Sequence, residues 1–164
     1  MNKFLKGFYY AAVGIVSCVR TERNMRVHLC FTFYVLLLMP FYDFSRGEKA
    51  AVFLCIGAVM AAEAFNTAIE AVVDMVCKEK HKLAKCAKDA AAGAVLLTAI
   101  AAAAVGIMLY IDFDALGEAV GWYIAHPVAI AGLVGSAVLW VFAITRPSGK
   151  ELLDNHSADN DVKK

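Results

Sequence analysis

Between residues 61 and 76 the chain reads AAEAFNTAIEAVVDMV, three acids and an amide set in an otherwise apolar run. Glu63, Asn66, Glu70 and Asp74 follow one another at three, four and four residues. On a helix that spacing keeps their directions within roughly 80° of one another. Thr67 borders the stripe, and the other faces are Ala, Val, Ile, Phe and Met. A carboxylate inside a membrane helix is costly unless it is paired, metal-bound or in water. The stripe therefore faces a cavity, a metal or a basic partner.

Two charged segments flank this stripe in sequence. The first, CKEKHKLAKCAKDAAAGAV at 77–95, is a basic loop running into a further apolar stretch. Lys78, Lys80 and Lys82 read as topology signals beside a membrane. Lys88 and Asp89 differ, because they open an apolar helix beside the acid stripe, where Lys88 neutralises that stripe or holds a phosphate. The second segment, RTERNMRVH at 20–28, carries one acid, Glu22, among Arg20, Arg23 and Arg26. Its arginines suit anionic headgroups. Glu22 is either a solvated counterion or a partner of the stripe in holding a divalent cation.

Acids able to bind Mg²⁺ and lysines able to bind phosphate, gathered at one membrane surface, make a set suited to phosphoryl transfer. No GxxxxGK[ST], HRD or DFG occurs, which excludes the familiar soluble kinase folds. Two rivals stand beside this reading. An ion or metal transporter would place its acids near the bilayer midplane on broken helices, yet no Gly or Pro interrupts residues 58–76. A non-catalytic membrane assembly subunit would not need Glu22, Asn66 and Lys88-Asp89 together.

The elements that must position these residues are membrane spans. The chain has 164 residues, 61% of them hydrophobic, well above the 45–50% or so of soluble domains. A net charge of +1 gives no electrostatic case for a nucleic-acid partner. Apolar stretches at about 50–77, 90–111 and 122–145 are long enough to cross a hydrocarbon core, which takes about 20 residues. A shorter one at about 27–44 is interrupted by Pro40. Lys and Arg fall in the N-terminal segment, in the loop at 78–88 and after residue 145, with Arg46 and Lys49 alone between the first two spans. Four spans with both termini cytoplasmic satisfy the positive-inside rule at every loop.

On a helix, residues 2–20 divide into two arcs. Asn2, Lys3, Lys6, Tyr10, Ser17 and Arg20 share one; Phe4, Leu5, Phe8, Ile15 and Val19 share the other. That is an amphipathic helix lying in the membrane interface, and its interleaved polar residues argue against a cleaved leader. The five cysteines lie mostly in apolar segments without a CxxC pair and read as small buried residues. The alanine-rich span at 90–111 is expected to pack closely on several sides. Residues 147–164 are polar, without periodicity, and read as a disordered tail.

ERNMRVH, then EAFNTAIEAVVD, then HKLAKCAKDAAAGAV resemble the prokaryotic diacylglycerol kinase family, with its acid before the first span, E-x-x-N-[ST]-A-I-E-x-x-V-D in the second and H-x-L-[AS]-x-x-A-K-D leading into the third. The resemblance covers residues 3 to about 111. It implies an all-α polytopic protein of the cytoplasmic membrane, with an interfacial helix and three spans forming a lipid kinase domain at 1–111. It implies ATP-dependent phosphorylation of a lipid alcohol, undecaprenol or diacylglycerol. Glu63 matches the general base at the lipid hydroxyl, although spacing alone leaves Glu70 equally able to serve. Glu22 and Glu70 match the ligands of Mg²⁺. Tyr10, Glu22, Asn66, Glu70, Asp74, Lys88 and Asp89 match residues around the nucleotide, and Glu79, Lys80 and His81 a stretch near the adenosine. The resemblance also implies a homotrimer with sites shared between subunits, so that Glu22 acts on a neighbour's site. RTERN and AKDAAAGAV are more similar to the undecaprenol kinases of Gram-positive bacteria. Residues 112–146, with their fourth span, lie outside the resemblance.

Overall fold

The computed structural model describes residues 2–147. These form helices α1 (Lys3–Thr21), α2 (Arg23–Leu38), α3 (Arg46–Val76), α4 (Lys82–Tyr110), α5 (Phe113–Ala125) and α6 (Pro127–Thr145), with a 3₁₀ turn at Met39–Phe41. There is no strand among the described residues. Four helical segments, Arg23–Phe41, α3, α4 and α6, are long and apolar enough to cross a membrane. The fold is the expected all-α polytopic one. The tail at 147–164 falls, save Pro147, outside the described residues.

Local chemistry sets the helix ends. Pro40 cannot continue an α-helix, and α2 passes at Leu38 into the 3₁₀ turn that contains it. Ser45 opens α3 with a capping box: its Oγ accepts from the Glu48 N–H at 3.3 Å, and Glu48 Oε2 accepts from the Ser45 N–H at 2.7 Å. Helix α3 then runs unbroken for 31 residues, roughly 46 Å. That exceeds the ~30 Å hydrocarbon core, so the helix is longer than one crossing needs.

The fourth span differs from its sequence-based bounds. Residues 122–125 belong to α5, and α6 begins at Pro127. The residue before a proline is driven out of the helical region, and His126 sits at φ −124°, ψ 82°. Helix α5 fills the stretch between the expected spans, and Asp112 caps it by accepting from the N–H groups of Asp114 and Ala115 at 3.0 and 3.2 Å.

Helices α3 and α4 form the most extensive pair; α2 packs on α3, and α6 packs on α2. One end of the bundle is closed by aromatic rings. Tyr42, Phe44 and Tyr110 meet at centroid distances of 4.9–5.2 Å. The Tyr42 hydroxyl donates to the Tyr110 carbonyl at 3.0 Å. Burial, and then the Asp112 carboxylate, hold its phenol above the ordinary tyrosine value, so it remains a donor.

Helices α1 and α4 leave apolar faces uncovered among the described residues. No residue of α1 is buried, and Phe4, Phe8 and Ile15 are exposed, as an interfacial helix requires. Helix α4 packs chiefly on α3, with Leu97, Ile100 and Met108 exposed. The packing on several sides expected of this span is therefore not supplied by the described residues.

Candidate active site

The acid stripe sits where α3 passes the start of α2, at the end of the bundle opposite the aromatic cluster. Glu63 is 1% exposed and Asn66 8%. Asn66 Nδ2 donates to Glu70 Oε1 at 3.0 Å, which orients the Glu70 carboxylate. Thr67 spends its hydroxyl on the Glu63 backbone carbonyl at 3.0 Å, a bond internal to the helix. Glu22 is the extended residue between α1 and α2. Its carboxylate and that of Glu70 both lie within electrostatic reach of Glu63. One chain thus gathers Glu22, Glu63, Asn66 and Glu70.

His28 is the residue that sequence reasoning missed. Its Nε2 lies 3.3 Å from Glu63 Oε1. The distance is that of an ion pair, although Glu63 Oε1 makes no hydrogen bond of good geometry among the described residues. The signal was available, since a histidine inside an apolar span is by default a functional candidate.

Around this cluster lies a polar cleft of about 230 Å³ lined by Asn24, His28, Glu63, Asn66 and the α4 face from Ala92 to Ala99. A second, apolar groove of about 330 Å³ runs down the bundle between α2, α3 and α4, along Phe31, Val35, Val52, Ile56, Val59 and Ala103. His28 and Ala99 line both. Glu63 therefore stands at the polar head of an apolar trough.

A third, wider recess of about 540 Å³ opens beyond the end of α3. It brings together Asp74, Glu79, Lys80, His81, Lys88 and Asp89, with Lys78, Lys82 and Lys85 around them. Lys88 donates to Asp74 across the α3–α4 gap. His81 caps α4, its Nδ1 accepting from the Leu83 N–H at 3.2 Å. Asp74 is about 16 Å along the helix from Glu63, so the expected nucleotide residues fall into two groups, one at each place. Tyr10 is exposed on α1, its ring 5.6 Å from Tyr9, and lines neither recess.

Arg26, unlike Arg23, is turned away from the surface. It is 6% exposed because its guanidinium is turned inward onto helix ends. Nη1 donates to the carbonyls of Val19 and Arg20 at 3.3 and 3.1 Å, and Nη2 to that of Arg146 at 2.9 Å. These carbonyls close α1 and α6, whose last turns offer unpaired acceptors and negative dipole ends.

A family profile described as prokaryotic diacylglycerol kinase matches residues 9–110. The undecaprenol kinase of Bacillus subtilis (strain 168) is 40% identical over 111 residues, 68% of this chain and 90% of that protein. A diacylglycerol kinase of a Synechocystis species is 43% identical over 103 residues, 62% of this chain and 59% of that protein. The diacylglycerol kinase of Pseudomonas aeruginosa is 33% identical over 102 residues, 61% of this chain and 83% of that protein. The matched region carries every acid of the stripe and the lining of all three cavities. The chain belongs to the prokaryotic diacylglycerol kinase family and is a membrane lipid kinase.

Proposed function

We propose that the protein transfers the γ-phosphoryl group of ATP to the hydroxyl of a membrane lipid alcohol at the cytoplasmic face, with undecaprenol favoured over diacylglycerol. The position of Glu63 carries the reading. Its buried carboxylate heads an apolar groove open to a lipid tail, and a recess rich in lysines lies further along the same helix. A lipid alcohol entering sideways from the bilayer brings its hydroxyl to that carboxylate. The similarity to an undecaprenol kinase over 90% of its length supports the choice of lipid.

In this mechanism Glu63 takes the hydroxyl proton as the oxygen attacks phosphorus in line. His28 orients the carboxylate, and Asn66 holds Glu70. Lys88, beside Asp74, and the lysines of the recess meet ATP phosphates, while Glu79, Lys80 and His81 flank the adenosine. Glu22 and Glu70 would hold Mg²⁺. They fit that ion by donor type: two carboxylates stand near Glu63, and Mg²⁺ is held by one or two carboxylates plus substrate phosphates. When bound, the cation screens charge on the transferring phosphoryl oxygens.

The open face of α4 supports the implied homotrimer, since a neighbouring copy would cover it. A transporter reading fits less well, because α3 is continuous and the carboxylates gather towards one end. The test is transfer of labelled phosphate from ATP to purified undecaprenol and, separately, to diacylglycerol in mixed micelles. Labelled lipid phosphate is expected with wild type and not with Glu63→Gln. Equal labelling by both proteins, or none with either lipid, would overturn the proposal.

A further inference from the structure

The fourth span creates a recess that the family match at 9–110 does not contain. Where the C-terminus of α6 meets the N-terminus of α2, Arg23, Asn24, Arg26, Val27, Ile144 and Arg146 line a cavity of about 460 Å³. That is within the usual size of a ligand pocket, some 300–1,000 Å³. It lies at the same end of the bundle as Glu63, and Asn24 lines both this cavity and the Glu63 cleft.

Three arginines converge here, and neither the His28–Glu63 contact nor the Lys88–Asp74 pair draws on them. The acceptors that hold Arg26 are neutral backbone carbonyls. Its Nε is buried with no hydrogen-bond partner among the described residues. Arg23 and Arg146 are exposed at the rim. A rigid guanidinium fork suits phosphate oxygens, to which it can donate two parallel hydrogen bonds. Val27 and Ile144 add apolar lining to the cavity, which suits an acyl chain. Basic pockets between spans at the cytoplasmic side are a recognised form of lipid headgroup site.

We propose that this cavity holds the phosphate of an anionic phospholipid, seated between α2 and α6 with its tails along the outside of the bundle. The site is distinct from the lipid groove that leads to Glu63, and it does not depend on the kinase reaction. Its ligand would tie the fourth span to the helix that carries His28.

The test uses full-length protein in nanodiscs of phosphatidylcholine doped with phosphatidylglycerol, with bound lipid counted by native mass spectrometry after release. Arg23→Gln/Arg146→Gln removes the two rim charges but keeps the Arg146 carbonyl that Arg26 needs, so folding is preserved. Lys3→Gln/Lys6→Gln removes the same charge from α1, outside the cavity. Phosphatidylglycerol retention is expected to be about tenfold weaker in the arginine variant and near wild type in the lysine variant. Equal losses in the two variants would reduce the effect to bulk surface charge and overturn the site. Displacement of the lipid by inorganic phosphate at millimolar concentration would assign the cavity to free phosphate and overturn the lipid assignment. Competition by phosphatidic acid with no effect of inorganic phosphate would support it.

Discussion

His28 Nε2 and Glu63 Oε1 stand 3.3 Å apart, joining the first turns of α2 to the buried acid of α3. This one contact connects the two segments that the chemistry needs, the charged run before the first span and the stripe in the second. An imidazole at that distance restricts where the carboxylate points. A base must be aimed as well as ionised, since the proton it takes must lie within hydrogen-bond reach.

Glu63→Gln should abolish turnover, with a fall of about 10²–10⁴, the usual worth of general-base catalysis. ATP binding should be largely retained, because the residue lies away from the lysine-rich recess. Steady-state rates with a fluorescent nucleotide titration check both. Retention of more than about a tenth of the rate would place the base elsewhere, with Glu70 the first alternative.

His28→Leu should lower kcat by about tenfold, or roughly 1.4 kcal/mol, from the loss of the polar contact that aims the carboxylate. KM for ATP should change little. His28→Gln, whose amide N–H can still reach Glu63, should recover most of the loss. A merely structural role would instead move stability and leave the split between kcat and KM unaltered, and a thermal melt run alongside the kinetics separates the two.

Glu22→Gln and Glu70→Gln should each raise the Mg²⁺ concentration giving half-maximal rate by about tenfold, a loss of roughly 1.4 kcal/mol. Excess Mg²⁺ should restore much of the rate. Gln at position 70 still offers an oxygen to Asn66 Nδ2, so the neighbouring hydrogen bond survives the change. Unchanged Mg²⁺ dependence in both variants would remove them from the metal.

Arg26→Met should destabilise the bundle by at least about 3 kcal/mol, since it strips a buried guanidinium from the carbonyls of Val19, Arg20 and Arg146. Arg146→Gln should not, because Arg26 uses only that residue's backbone. Chemical denaturation in detergent, followed by tryptophan fluorescence, checks the pair; equal stability of Arg26→Met and wild type would sink the assignment.

What the sequence made legible was periodicity. Glu63, Asn66, Glu70 and Asp74 could be placed on one stripe because helix spacing alone dictates it, and the spans followed from apolar length. What it hid was contact between elements. Arg26 and Arg23 are three residues apart in one basic run, yet one is buried on helix ends and the other exposed. Only packing of α1, α2 and α6 separates them. His28 carried no motif, and its role emerges from the approach of α2 to α3. Likewise, residues 112–121 showed only as a gap between two apolar stretches, whereas the Asp112 cap and the break before Pro127 enclose a helix at 113–125.

The remaining prediction concerns that break and the span after it. Helix α6 should cross the bilayer and return the C-terminus to the cytoplasm. Its 19 residues extend roughly 28 Å, close to the ~30 Å hydrocarbon core. Between Val128 and Ile144 its polar side chain is Ser136, which is spent on the Leu133 carbonyl at 2.7 Å and the Tyr34 hydroxyl at 3.2 Å. An interfacial helix would need a polar face, and α6 has none. At one end Trp122 stacks on His126 with ring centroids 4.3 Å apart, an aromatic pair suited to the membrane–water boundary. At the other end Arg146 meets Arg26 of the α2 N-terminus, so α6 runs antiparallel to α2 and finishes at the end of the bundle that holds Glu63. A cysteine placed at Ser157 in a background lacking the five native cysteines should resist a membrane-impermeant thiol reagent in intact cells and react once they are permeabilised. Labelling of intact cells would put the tail outside and refute the crossing. The kinase assignment would survive that result, because every residue proposed for catalysis precedes Ala90.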